Sequence, residues 1–196
     1  HDELRRQRQM CIRDRLGRQN SLGFIGINVV LLVVFFGELD ISRGLGNLIN
    51  FLWGFSLFSL ILAGYYLVQD QVPNYWREAS AILGGVIIVG TLIEISSPEY
   101  TLDNGGFAPM YFLWAFNSLI YVLTMRGTGI FRPIYEYLSI FGYISILGAS
   151  GSTLFLDYTI PESIQPIFGL GWIAMVVGLG YGSYVAWGDK LSSSTE

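Results

Sequence analysis

Catalysis, metal binding and ion coupling draw on a small set of side chains, and this chain of 196 residues holds few of them. It has one histidine, His1, one cysteine, Cys11, and one lysine, Lys190. Histidine-based metal or haem ligation and histidine-dependent proton transfer have no residue to rest on within the body of the chain. Neither a disulfide nor a thiolate cluster can form within it. The expectation is therefore no catalytic residue, no metal ligand set and no cofactor. The carboxylates of the apolar part lie near the ends of apolar runs. Glu94, in Leu92-Ile93-Glu94-Ile95, reaches deepest from one side, while Glu78 and Glu136 stand within a turn of the opposite boundary, where a helix N-terminus favours an acid. Asn117 is the deepest uncharged polar residue and Asn28 the next. An amide in hydrocarbon seeks a partner on another helix, so the default expectation is a bond joining the spans that carry Asn28 and Asn117. The alternative is a small polar site. Tyr111, Trp114, Asn117, Ser118 and Tyr121 recur at three-to-four spacing on one face, and with Asn28 and Glu94 they form a surface suited to a neutral solute or a lipid headgroup.

One short pattern invites a catalytic reading. Gly148-Ala149-Ser150-Gly151 resembles the GxSG nucleophile motif of rhomboid proteases and lies near the end of an apolar run. That resemblance implies an intramembrane serine hydrolase, whose nucleophile needs a histidine base on another helix. The chain has none beyond position 1, so small-residue packing is the expectation for Ser150. A retinal-binding protein needs a lysine within a span, and Lys190 lies beyond the last one. The glycines of Gly169-Leu170-Gly171 and Gly178–Gly182 sit inside an apolar run, not at a strand-to-helix turn, which argues against nucleotide binding. No basic patch suits a nucleic acid.

The elements that must position these residues are apolar. The chain is 52% hydrophobic and 13% charged, about half the charge of an ordinary soluble domain. A membrane-crossing helix needs about 20 mainly apolar residues. Six runs qualify: 21–37, 48–68, 78–95, 107–125, 134–150 and 162–187. The fold expected is an all-α, polytopic membrane bundle of six transmembrane helices over 20–190, with a basic tail over 1–19 and a short polar tail over 191–196. Residues 8–15, RQMCIRDR, resemble a translated sequencing-adapter remnant, so 1–16 are set apart as non-natural. Asn20 or Ser21 is the expected N-cap of the first helix. Trp53, Trp76, Trp114 and Trp187 fall near run ends, as an interfacial aromatic belt would require.

Charge orients the spans. Arg18, Arg77, Arg126, Arg132 and Lys190 fall on one side and Arg43 on the other. Glu38, Asp40, Glu94, Glu99, Asp103, Asp157 and Glu162 collect opposite the basic residues, where Glu94, Glu99, Asp103 and Asp157 would suggest an outer cation site. The positive-inside rule then places both termini in the cytoplasm, in a prokaryotic inner or plasma membrane.

The last run carries Ala174, Gly178, Gly182 and Ala186 at intervals of four, a smooth ridge on a helix. Such ridges let helices approach closely in lipid. They predict tight packing against a neighbour, or a homo-oligomer or other membrane partner through helix 6. An internal pattern accompanies it. Phe51-Leu52-Trp53-Gly54-Phe55 matches Phe112-Leu113-Trp114-Ala115-Phe116. Glu78-x3-Ile82-Leu83-Gly84-x5-Gly90 matches Glu136-x3-Ile140-Phe141-Gly142-x5-Gly148. An offset of 58 carries Gly84 back to Gly26 and Trp114 on to Trp172. Three tandem helical hairpins explain the pattern, and coincidence in a Phe-, Leu- and Gly-rich chain is the other explanation. With Pro73-Asn74-Tyr75-Trp76 opening a span, the architecture resembles polytopic membrane families of bacteria and archaea, which implies no activity. Two functions stand first: a non-catalytic membrane protein that meets the lipid bilayer and partners through its spans, and a transporter or channel for a small neutral or weakly polar solute. An intramembrane enzyme ranks last.

Overall fold

Backbone amides in lipid must be satisfied within the segment, and long apolar runs therefore become helices. The computed structural model of the chain describes residues 2–37, 39, 41–96, 108–156, 161 and 163–193, with the side chains of 2–14, 35, 36, 94, 108, 165 and 190–193 outside that description. All regular structure among the described residues is helical. The elements are α1 (Asp2–Phe36), α2 (Arg43–Leu67), α3 (Asn74–Ser96), α4 (Ala108–Met125) and α5 (Pro133–Leu156). The sixth helix has three parts: α6 (Gln165–Met175), a π-helical insert (Val176–Tyr181) and α7 (Gly182–Ser193). Five of the six are long and apolar enough to cross a membrane, the last counted as one span over Pro166–Asp189. The remaining one, α4, is apolar over 18 residues, about 27 Å of helix.

The elements start and stop for local reasons. Ser42 accepts a hydrogen bond from the Leu45 amide and caps α2. Pro73 closes the turn before α3, and Pro133 opens α5, where a missing N–H is tolerated. Between α4 and α5 the chain reverses through Gly127 and Gly129, with φ of 86° and 73°, a region that side chains beyond glycine rarely adopt. The Thr128 hydroxyl, donating to the Met125 carbonyl at 2.7 Å, ties that turn to the helix end.

Each helix packs on its neighbour in the chain, and the sixth closes the ring by packing on α1 as well as on α5. In the middle, α2 and α4 also touch across the bundle. Large aromatic side chains of α4 seat on glycines of α2: Trp114 lies over Gly54, and the Tyr121 hydroxyl occupies the space beside Gly64. The core holds Phe24, Trp53, Leu57, Ile87, Trp114, Tyr121, Tyr143, Met175 and Trp187. Apolar rows face outward at helical spacing, among them Ile82, Val86, Val89 and Ile93 on α3 and Ile167, Leu170, Ile173 and Val177 on the sixth helix. A bundle that exposes such rows on its helices suits lipid as its surroundings.

Several expectations are corrected here. Ser21 is no N-cap: α1 runs through it from Asp2, and its hydroxyl donates to the Gly17 carbonyl at 3.1 Å. Helix α2 begins at Arg43 and α3 at Asn74, each one turn earlier than its apolar run. That shift moves Trp53 inward along α2 and leaves Glu78 beyond the first turn of α3. Trp53, Trp114 and Trp187 form no interfacial belt, since they are 4%, 2% and 1% exposed. Glu136 does fall in the first turn of α5, but buried, 8% exposed and within Coulombic reach of Arg126.

The ridge on the sixth helix is used inside the chain. A Cβ on Gly178 would lie 2.5 Å from the Ser139 amide nitrogen of α5, and one on Gly182 would lie 2.9 Å from Tyr135 Cβ. Gly171, not included in the ridge, makes the same kind of approach to Ser145, and Gly142 of α5 faces the Gly171 carbonyl and Met175. Gly180 turns to the other side, against Ile25 and Phe24 of α1. Ala174 and Ala186 are buried too, at 8% and 7% exposure. The expected partner for this ridge is thus α5 of the same chain, because the closed ring leaves these small residues no outward face.

Candidate functional site

Trp53 is the centre of the bundle's polar and aromatic interior. Its indole N–H donates to Asn28 Oδ1 at 3.0 Å, and Asn28 Nδ2 donates to the Phe24 carbonyl at 2.7 Å. The Trp53 ring stacks on Trp172, centroids 5.5 Å apart and planes 25° from parallel. Trp114 meets it edge-on at 6.5 Å and Tyr111 at 5.5 Å. Such edge and offset contacts satisfy the ring quadrupoles. The Tyr111 hydroxyl donates to Asn50 Oδ1 at 3.2 Å, and Asn50 Nδ2 donates to the Gly46 carbonyl at 3.1 Å. Four helices, α1, α2, α4 and α6, are pinned together through these side chains.

A second group lies further along α4. Tyr121 packs edge-on against Tyr65 at 5.1 Å and Phe131 at 6.3 Å, and Ser80 of α3 donates to the Tyr65 hydroxyl at 3.2 Å. The Ser118 hydroxyl stands beside the Tyr143 hydroxyl of α5. Here polar satisfaction is incomplete: among the described residues, Asn117 Nδ2, Ser118 Oγ and Tyr143 Oη are buried without a hydrogen-bond partner, as are Trp172 Nε1 and Ser183 Oγ. An orphaned polar group inside an apolar bundle costs about 1–3 kcal/mol.

The residues singled out in the sequence divide between these groups. Asn28, Tyr111 and Trp114 belong to the first, while Asn117, Ser118 and Tyr121 continue along α4 toward the second. Asn28 and Asn117 do not bond to each other. Asn28 takes Trp53 instead, because α1 packs along α2. Glu94 lies on the last part of α3, with its side chain outside the described residues. Glu99, Asp103 and Asp157, expected to group with Glu94 as an outer cation site, lie outside the described residues too. Ser150 donates its hydroxyl to the Ile146 carbonyl at 2.7 Å within its own helix. Among the described residues no group of His, Cys, Asp and Glu is arranged to hold a metal ion.

The interior also contains residues not singled out as a site: Trp53, Trp172, Asn50 and Tyr143. A sequence signal for the first two existed. The internal pattern made Trp53, Trp114 and Trp172 equivalent, and these three tryptophans, from the second, fourth and sixth helices, converge. The matched glycines behave less alike. Gly84 receives the Phe58 ring of α2, Gly142 faces the backbone of α6, and Gly26 has open space around it.

At the basic end of the bundle lies a separate cleft of about 560 Å³ between the α2–α3 and α4–α5 turns. Arg126 lines it, and further arginines stand at the same end of the bundle. Arg77 lies 5.2 Å over the Tyr66 ring, Arg126 lies 5.7 Å over Tyr137, Arg18 contacts the Tyr184 hydroxyl, and exposed Arg132 pairs with Asp189 at 3.8 Å. Compared with known proteins, the chain matches no family model, no curated protein and no solved structure.

Proposed function

We propose that this is a non-catalytic integral membrane protein that acts by binding at its surface, its interior serving as a lock between helices. The observation that carries this reading is the enclosure of Trp53 by Asn28, Tyr111, Trp114 and Trp172. Side chains that interlock in this way hold four helices in one arrangement and leave the centre filled. The arginines at one end support an orientation with that end, and both chain termini, on the cytoplasmic side.

A second reading has one specific observation in its favour. Among the described residues, Asn117 Nδ2, Ser118 Oγ and Tyr143 Oη are buried and unpartnered near the middle of α4 and α5. A path for a small neutral solute would supply their missing partners.

Thiol accessibility separates the two. In a background with Cys11→Ser, Ser118→Cys is nearly isosteric, and Thr128→Cys, half-buried in the α4–α5 turn outside the apolar part of the helix, serves as the accessible control. The binding reading predicts that a small membrane-impermeant thiol reagent modifies the Thr128→Cys protein in sealed vesicles or after lysis, and leaves the Ser118→Cys protein unmodified from both sides. Modification of Ser118→Cys from either side would overturn it in favour of the solute path. Asn117→Cys repeats the test one residue away.

A further inference from the structure

The cleft at the basic end has a graded wall. Along α4 its lining passes from Ile120 and Leu123 to Thr124, then to Arg126 at the helix end and Thr128 in the turn. Ile120 to Thr128 is eight residues, about 12 Å of rise if helical throughout, and within it the surface changes from hydrocarbon to hydrogen-bonding to charged. The opposite wall repeats the change, with Val72 and the partly buried Trp76 against Gln71. Tryptophan favours the level of a bilayer where headgroups meet acyl chains. Leu123 is 48% exposed and Arg126 is exposed, so the cleft opens toward the bundle's surroundings.

Its charge is one-sided. The lining holds a guanidinium and no carboxylate. The acids nearby are Glu136, buried in the first turn of α5, and Asp70, exposed in the turn before Gln71. Arg126 is steadied by its position over the Tyr137 ring. A guanidinium donates to phosphate through a planar fork, which is stronger and more directional than a lone ammonium contact. The volume of about 560 Å³ falls in the range of small-molecule sites, about 300–1,000 Å³.

We propose that this cleft binds one anionic phospholipid, its phosphate on Arg126 at the polar rim and the first carbons of its chains along Ile120 and Leu123. Hydrophobic depth, an interfacial tryptophan and a cation at the rim match the order of groups in such a lipid, and basic pockets between transmembrane helices are suited to anionic headgroups. The inference goes beyond the functional reading above and depends only on the bundle lying in a membrane.

The test is lipid titration of the detergent-solubilised full chain, with bound lipid counted by native mass spectrometry. Phosphatidylglycerol is compared with phosphatidylcholine, and inorganic phosphate is run as a thermal-shift arm. The expected result is tighter binding of phosphatidylglycerol to the parent and no melting shift with phosphate alone. Arg126→Gln should raise the apparent Kd for phosphatidylglycerol about tenfold, the loss of one charge-assisted contact, and Arg126→Lys should lie between. Arg132→Gln, at the same end but outside the cleft, should leave it unchanged. Leu123→Trp fills the apolar part while keeping the Arg126 charge, so it gives the same loss without touching the cation. Equal affinity for the two lipids, parent-like affinity in both Arg126→Gln and Leu123→Trp, or a phosphate shift equal to that of the lipid would each overturn the proposal.

Discussion

At the scale of single residues, the bond from Trp53 to Asn28 shows how a buried polar group is both a cost and a constraint. Asn28 is fully buried, and both ends of its amide are satisfied, one within α1 and one from α2. Trp53→Phe removes the donor and strands Asn28 Oδ1, and Asn28→Leu strands the indole N–H. Each should destabilise the protein by about 1–3 kcal/mol. The double variant should lose less than the sum of the singles, with a coupling of about 1 kcal/mol. Unfolding in mixed micelles with increasing SDS measures all three, and strictly additive losses would show that the bond contributes nothing. The partner of Asn28 was not legible in the sequence. Two amides at the greatest depth invite pairing with each other, and only the packing order of the helices directs Asn28 to α2. Asn117 was legible as deep and polar, but its unpartnered Nδ2 depends on the local arrangement of α4.

At the scale of elements, helix positions followed from apolar runs because lipid leaves the backbone few alternatives. The ends were less legible. A run of hydrophobic residues marks the part of a helix in hydrocarbon, and α2 and α3 continue a turn beyond it. The π-helical insert had no sequence mark of its own, since Gly178 and Gly182 are four apart in either helix type. Gly180 faces α1 while Gly178 and Gly182 face α5, as positions two and four apart do on any helix. The small-residue ridge was legible as a packing surface but not as to its partner. Gly178→Leu tests the assignment to α5. Its side chain meets the Ser139 amide, so overpacking should destabilise the protein by about 3 kcal/mol or more. Gly85→Ala, where a Cβ meets nothing within 4 Å, should be neutral or mildly stabilising, given the better helix propensity of alanine. Thermal melting followed by circular dichroism, with size-exclusion chromatography for mass, reads both. A Gly178→Leu protein that melts like the parent but dissociates from dimer to monomer would show that the ridge faces another molecule.

At the scale of the whole molecule, the six described helices form a closed ring around an interior of tryptophan, tyrosine and asparagine, with Arg18, Arg77, Arg126 and Arg132 at one end and Arg43 at the other. The bilayer environment and the charge asymmetry are properties of composition and order, which is why they were readable from the chain. The fate of the tryptophans was not, because an amphipathic indole suits both an interface and a hydrogen-bonded core. Only contacts distant in sequence, such as Trp53 with Trp172, decide between them. The internal pattern matches the three tryptophans that meet there, although a repeat by itself says nothing of whether its copies converge. The central claim is that the tryptophans of α2, α4 and the sixth helix lock the bundle from within. Fluorescence quenching of the Trp76→Phe protein in bilayers measures this most directly, since that change removes the tryptophan lining the cleft. With lipids brominated along the acyl chain and with aqueous iodide, the account predicts that the remaining emission is little quenched by either, because Trp53, Trp114 and Trp187 are buried by protein and Trp172 is stacked on Trp53. Loss of most of that emission to brominated lipid or to iodide would place the tryptophans against lipid or water, and would contradict a core built on them.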